Sequence, residues 1–196
     1  MAKKVAFEGI ECSGKTTTIE IVAQKLQHRG FTTKILGKRD SIIDEPLRVL
    51  LDESDETLTA FQKFLIISIR FIEKNQILGT IEGLYDFVLI DRFEVSWRVF
   101  AELVDVPKSF IHCFVQQLTL NEVDVYVYNK IDYSTFQNRW CLHRSTREGH
   151  EVNQEWFENK VKIIDEIFKQ NRIPFVNCKN ESDIESLVEI LCTSMC

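Results

Sequence analysis

The stretch Gly9-Ile10-Glu11-Cys12-Ser13-Gly14-Lys15-Thr16 follows the apolar run Val5-Ala6-Phe7 and leads into a helical pattern. Its spacing is G-x-x-x-x-G-K-T, and strand, loop and helix in that order are the setting of a phosphate-binding P-loop. Glycines let the backbone curl until its N–H groups converge on phosphate oxygens. The helix that starts near Lys15 turns its positive end to the same place. In that geometry Lys15 reaches the β- and γ-phosphates of a nucleotide, and the Thr16 hydroxyl ligates Mg²⁺.

The rest of the chain agrees with one α/β domain over 1–196. Its 196 residues suffice for a substantial core, and 44% hydrophobic with 28% charged residues is an ordinary globular composition. A net charge of −6 gives no support for wholesale nucleic-acid or anionic-membrane binding. No apolar run approaches membrane-spanning length and no leader peptide is visible, so a cytoplasmic location is expected. The six cysteines form no C-x-x-C pair, and reduced, mostly buried thiols are the expectation.

Apolar periodicity predicts helices over about Lys15 to His28, Leu58 to Leu78, Ser134 to Leu142 and Glu155 to Asn171, with a short one opened by Pro46. The Leu58 to Leu78 segment is apolar all round and is expected to be well buried. Ser182-Asp183-Ile184-Glu185 reads as a capping box opening a C-terminal helix. Strands are expected at Val5 to Phe7, Thr33 to Leu36, Phe87 to Ile90, Val123 to Tyr128 and Pro174 to Val176. Strands alternate with helices, which predicts a three-layer P-loop NTPase fold with a parallel five-stranded sheet. Ligands of such sheets sit beyond the carboxyl ends of the strands. The P-loop, Lys38-Arg39-Asp40, Asp91-Arg92 and Asn129-Lys130 all fall at such ends.

Two P-loop chemistries compete at this stage. Asn129-Lys130-Ile131-Asp132 has the N-K-x-D form that reads guanine in GTP-binding switches. No D-x-x-G follows a strand, however, and a switch without that γ-phosphate sensor is hard to run. A nucleotide kinase instead needs cations around two phosphates. Arg39 and Arg92 follow strands, Arg70 lies in the long helix, and Arg139, Arg144 and Arg147 cluster late in the chain. Guanidinium groups suit bidentate phosphate binding.

Over nearly its whole length the chain resembles the thymidylate kinase family. Phe7-Glu8-Gly9-Ile10-Glu11-Cys12-Ser13-Gly14-Lys15-Thr16-Thr17 is similar to the family's F-E-G-[LI]-[DE]-x-x-G-K-T-T. Asp91-Arg92-Phe93 with Ser96 and Phe100 resembles its D-R-[YFH]-x-x-S-x-x-x-[YF]. The late arginines resemble its mobile LID, here about 139–153. The resemblance implies ATP as donor, Mg²⁺ and a homodimer. ATP would be held by Gly9, Glu11, Cys12, Ser13, Gly14, Lys15, Thr16 and Thr17, with Arg139, Arg144 and Arg147 from the LID. The acceptor would meet Glu11, Arg39, Arg70, Arg92, Ser96, Trp97 and Phe100. Lys15, Arg92, Asp91 and Arg144 would carry catalysis, and Thr16 and Asp91 the metal. The implied reaction is phosphorylation of a deoxynucleoside monophosphate, dTMP before others.

The chain departs from the family pattern around the base. Ile66 stands where an aromatic residue stacks on thymine, Trp97 where a small or polar residue is usual, and Ala101 where Gln, Gly or Ser is common. Arg39-Asp40-Ser41 lacks the Glu-Pro-Gly-Gly that normally follows its arginine. A deoxynucleoside kinase is a third reading. It requires a carboxylate base after the second strand, with Asp40 nearest and Glu45 beyond.

Overall fold

The computed structural model describes residues 1–37, 40–41, 43–53, 57–143 and 153–193. Along the chain run β1 (Lys3–Glu8), α1 (Lys15–His28), β2 (Thr33–Leu36), α2 (Asp44–Glu53), α3 (Ala60–Ile81), β3 (Phe87–Asp91), α4 (Glu94–Leu103), α5 (Lys108–Gln116), β4 (Val125–Tyr128), α6 (Tyr133–His143), α7 (Gln154–Gln170), β5 (Phe175–Asn177) and α8 (Glu181–Thr193). The sheet order is β2-β3-β1-β4-β5, and every pair is parallel. The expected five-stranded parallel sheet is present, with β1 at its centre.

Side-chain alternation along the strands divides the core into two halves. Val5 and Phe7 of β1, Phe87 and Leu89 of β3 and Val127 of β4 pack against Ile19, Val22 and Leu26 of α1 and Leu187, Val188 and Leu191 of α8. Ala6, Val88, Ile90, Tyr126 and Tyr128 point to the other face, which α3, α4, α6 and α7 cover. Because both faces are covered, Phe87, Val88, Leu89 and Ile90 are all fully buried, and the segment reads as an unbroken apolar run.

Five sequence expectations need correction. The helix of 94–103 escaped the periodicity reading because Val95, Trp97, Val99 and Ala101 are buried in alternation, which mimics a strand. The cause is that α4 packs on both α3 and α7. The long helix α3 is not buried all round: Phe61, Leu65 and Ile69, four residues apart, are exposed on one face. The C-terminal helix opens earlier than the Ser182–Glu185 box. Asn180 Oδ1 accepts from Asp183 N at 2.9 Å, and Asp183 Oδ2 accepts from Lys179 N at 2.7 Å. The described cysteines are mostly not buried: Cys178 is, whereas Cys113 and Cys141 are exposed, and no disulfide joins any of the five. In α2, Pro46 is the third helical residue rather than the first.

Trp97 anchors the α3–α4–α5 side of the core. It is 2% exposed, its ring lies between Phe71 (5.2 Å, 15°) and Phe114 (5.3 Å, 23°), and its Nε1 donates to Ser68 Oγ at 2.9 Å. Both ring faces and the one polar atom are satisfied. Truncating it leaves a large cavity and removes the donor to Ser68 Oγ, whose own hydroxyl still donates to Phe64 O at 2.8 Å, so Trp97→Ala is expected to lower unfolding free energy by about 3–5 kcal/mol in urea titration.

Candidate active site

The loop between β1 and α1 closes because its residues allow backbone conformations that others resist. Gly9 has φ 145°, and a Cβ there would stand 2.7 Å from the Asn129 carbonyl oxygen. Gly14, at φ 86°, is the N-cap of α1 and lies under Arg139, whose Nη1 would be 3.2 Å from an added Cβ. Only glycine meets both requirements without displacing a neighbour. Cys12 takes φ 57° between them, a left-handed conformation uncommon for a side-chain-bearing residue.

Lys15 is folded into this loop. Its Nζ donates to Ile10 O at 2.6 Å, Gly9 O at 3.2 Å and Ser13 Oγ at 3.2 Å, and the residue is buried. Burial lowers its pKa to about 7, with the Arg92 charge acting in the same direction against Glu11, Asp91 and Glu8. Thr16 and Thr17 open α1 with exposed side chains.

Arg92 faces Lys15 from the end of β3. Its backbone is also left-handed, φ 61°, and its N–H continues the sheet by donating to Phe7 O at 3.1 Å. Nη1 donates to Gly9 O at 3.0 Å and Ser96 Oγ at 3.3 Å, while Nη2 stands 3.6 Å from Glu11 Oε1. The turn is fixed from below by Glu8. Its buried carboxylate accepts from Phe93 N at 2.8 Å and from the Ser96 hydroxyl. Burial pushes the Glu8 pKa up, against the Ser96 and Phe93 hydrogen bonds and the Arg92 charge. Lys74 of α3 adds a cation beneath the same turn, donating to Asp91 O at 2.7 Å and Arg92 O at 3.1 Å.

Glu11 sits between two cations, Arg92 and Lys160 of α7, whose Nζ is 2.8 Å from Oε2. Burial alone would raise the Glu11 carboxyl, but the two cations outweigh it and hold it well below the usual carboxylate range. Asp91 Oδ1 is buried and has no hydrogen-bond partner among the described residues. Such an atom fits a divalent cation that brings its remaining ligands as water and phosphate. Among the described residues no group of three His, Cys, Asp or Glu forms a complete metal cage.

The sequence-predicted residues thus separate. Glu11, Lys15, Asp91, Arg92 and Ser96 converge with the loop glycines. Arg139, on α6, reaches across to Cys12 O at 3.1 Å. Phe100 is half-buried one helical turn after Ser96 and packs on the core, and Arg70 is half-buried on α3. Trp97 is not with them, since its ring is enclosed by Phe71 and Phe114. Arg39, Arg144 and Arg147 lie outside the described residues, as does most of the 139–153 LID. Sequence reasoning missed Glu8, Lys74 and Lys160. Lys160 is 149 positions from the glutamate it meets, and no local pattern marks it.

The N-K-x-D segment has other engagements. Asn129 Nδ2 donates to Thr18 Oγ1 at 2.8 Å, and its N–H to Glu8 O at 2.9 Å, bracing the P-loop and α1. Lys130 pairs with Asp165 at 2.6 Å. Asp132 accepts from Ser134 Oγ, Thr135 N and Thr135 Oγ1 at 2.6, 2.8 and 3.0 Å, capping α6. Three hydrogen bonds of that cap engage its carboxylate, while Asn129 Oδ1 is buried without a partner among the described residues.

The family model "Thymidylate kinase" matches residues 7–189. The chain belongs to the thymidylate kinase family. Its P-loop with Glu11 and its Asp91-Arg92 turn lie within the matched span. A solved structure described as deoxyadenosine kinase from M. mycoides, with the products dCMP and a flexible dCDP bound, is similar in fold. The TM-score is 0.67 and the identity 17%, over 98% of each chain. Family and fold together make this protein a kinase of the nucleoside and nucleotide class.

The depressed Lys15 pKa has a measurable consequence. Above pH 7 the unfolded chain holds a proton on Lys15 that the ligand-free native state lacks, so stability rises with pH between about 7 and the ordinary lysine range. Phosphate oxygens restore the charged form. Nucleotide binding at pH 8 should therefore take up close to one proton, read by calorimetry in buffers of different ionisation enthalpy, and Lys15→Met should abolish the uptake.

Proposed function

We propose that the protein transfers the γ-phosphoryl group of ATP to a deoxynucleoside monophosphate, dTMP before others, giving the diphosphate and ADP. One observation carries the reading. The Arg92 guanidinium is fixed beside the P-loop by Gly9 O and Ser96, with a flank not hydrogen-bonded to Glu11, next to the lysine that serves the donor phosphates. Two phosphate-binding cations, one for each side of the transfer, are what joining two polyanions demands.

In this reading Lys15 and the loop amides take the β- and γ-phosphates, with Arg139 and the LID arginines Arg144 and Arg147 closing over them. Arg92, with Arg39, receives the acceptor phosphate. Its oxygen attacks the γ-phosphorus in line as the bond to the β-phosphate oxygen breaks. That oxygen is already anionic, so no general base is needed, and positioning with charge compensation supplies the rate. Mg²⁺ would be held by the Thr16 hydroxyl and Asp91 and would neutralise charge on the transferring phosphates. Arg70 approaches the base and Phe100 packs against the deoxyribose. The exposed Phe61, Leu65 and Ile69 stripe on α3 supports a homodimer.

The deoxynucleoside kinase alternative draws on the similar solved structure and requires a base for a 5′-hydroxyl. Asp40 is poorly placed for that role. Its Oδ2 accepts from Gly37 N at 2.9 Å and its Oδ1 pairs with Lys34, so it serves its own turn. The side chain of Glu45 lies outside the described residues.

ADP release with Mg²⁺-ATP and a panel of dTMP, dUMP, dCMP, dGMP, dAMP and thymidine tests the reading. Turnover is expected with dTMP and not with thymidine; the reverse order would establish the nucleoside kinase. Lys15→Ala should lower kcat about 10²–10³-fold with the fold retained. Arg92→Ala should raise the acceptor KM as well as slow transfer. Asp40→Asn should keep near-normal turnover, whereas loss of a true base costs about 10²–10⁴-fold.

A further inference from the structure

We infer that Lys160 is a positioning residue for the acceptor site: it draws the Glu11 carboxylate toward α7 and so keeps the Arg92 guanidinium open to the acceptor phosphate. The inference rests on the kinase reading and adds to it a residue from outside both sequence motifs. Three observations carry it.

First, the geometry is asymmetric. Glu11 Oε2 is hydrogen-bonded to Lys160 Nζ at 2.8 Å, whereas Oε1 is 3.6 Å from Arg92 Nη2, beyond hydrogen-bond distance. Arg92 makes its direct bonds through Nη1, to Gly9 O and Ser96 Oγ. One edge of the guanidinium therefore stays available for a ligand oxygen.

Second, Lys160 is held in place before any ligand arrives. Its side chain is only 13% exposed, and the ammonium lies 4.7 Å from the centre of the Trp156 ring, one turn earlier on α7. Burial lowers its pKa, with Glu11 opposing that shift. A lysine so enclosed needs an anionic partner, and Glu11 is the carboxylate at hand.

Third, the charge count favours an incoming anion. Two cations and one carboxylate leave Arg92, Glu11 and Lys160 with a net charge of +1. Without Lys160 the count falls to zero. The carboxylate would then pair directly with Arg92 and compete with the acceptor phosphate for the same nitrogens. α7 begins at Gln154, directly after the LID segment, so the contact also joins the element that follows the LID to the third residue of the P-loop.

The test is steady-state kinetics with separate variation of ATP and acceptor. Lys160→Met keeps the length and the contact with Trp156 while removing the charge. It should raise the acceptor KM about tenfold, with kcat and the ATP KM changed less than about threefold. Lys160→Arg should restore most of the acceptor affinity. In a Glu11→Gln background Lys160→Met should add nothing further, because the lysine acts through the glutamate.

An unchanged acceptor KM overturns the inference, as does full additivity with Glu11→Gln. A parallel rise of both KM values with a lowered Tm would make the pair a structural tie and overturn it as well. Should Lys160→Met fail to fold, Lys160→Leu, which likewise removes both the charge and the donor to Glu11, carries the same comparison. A wild-type protein that turns over no acceptor overturns the kinase reading itself, and the inference with it; an active wild type with indifferent Lys160 variants overturns the inference alone.

Discussion

The site depends on a buried carboxylate. Glu8 ends the central strand, is fully enclosed, and accepts from the Phe93 N–H and the Ser96 hydroxyl. A buried carboxylate left without donors would be costly, so these bonds hold strongly. They fasten the end of β1 to the first turn of α4, with Asp91 and Arg92 between. Register alone pairs Phe7 with Asp91. Glu8 adds the sharp departure that turns Arg92 into left-handed backbone and swings its guanidinium over Gly9. The P-loop and the Arg92 guanidinium are therefore held at a fixed spacing by the protein itself. Preorganisation of that kind is what electrostatic catalysis requires.

The same region concentrates positive charge under poor solvation. Lys15 is enclosed by carbonyl oxygens, Arg92 by Gly9 O and Ser96, Lys74 by the carbonyls of Asp91 and Arg92, and Lys160 by Trp156 and Glu11. Among the described residues Glu11 offsets this, hydrogen-bonded to Lys160 at 2.8 Å and standing 3.6 Å from Arg92 Nη2. A protein of net charge −6 has thus gathered cations at the carboxyl ends of β1 and β3, where the parallel sheet leaves its crevice. Burial first, and the neighbouring Arg92 charge second, lower the pKa of Lys15, and polyphosphate would favour its charged form.

What was legible in the sequence followed from local physics. The P-loop spacing, the helix of 15–28 and the apolar run of β3 each report a constraint carried by neighbours in the chain. The misreadings arose where tertiary contacts intervene. Burial of α4 on two sides turned its helical period into apparent alternation. Asn180 took the cap that Ser182 and Glu185 resembled, since Asp183 could return the bond to Lys179 N. The aromatic pair around Trp97 joins α3 with α5, and no spacing announces that Phe71 and Phe114 will enclose it. Lys160 and Glu8 belong to the same class: the first acts across 149 positions, and the second reads as a strand residue until its partners are seen.

Hydrogen-bond accounting separates ligand-facing groups from decorative ones. Asn129 to Asp132 match a guanine-reading motif, yet Asp132 accepts three hydrogen bonds in the cap of α6 and Lys130 pairs with Asp165, although Asn129 Oδ1 is buried without a partner among the described residues. Asp40 stands where a nucleoside kinase places its base, but its oxygens are held by Lys34 and Gly37. Trp97 falls at a base-contact position with both faces covered. Against these, Asp91 Oδ1 is buried without a partner among the described residues, and Arg92 Nη2 stands short of a hydrogen bond. Buried polar atoms are nearly always paired, so an unpaired one at the mouth of a P-loop marks where a partner belongs. The two atoms lie on consecutive residues, one anionic and one cationic. That is the pairing a divalent cation and a phosphate oxygen would complete.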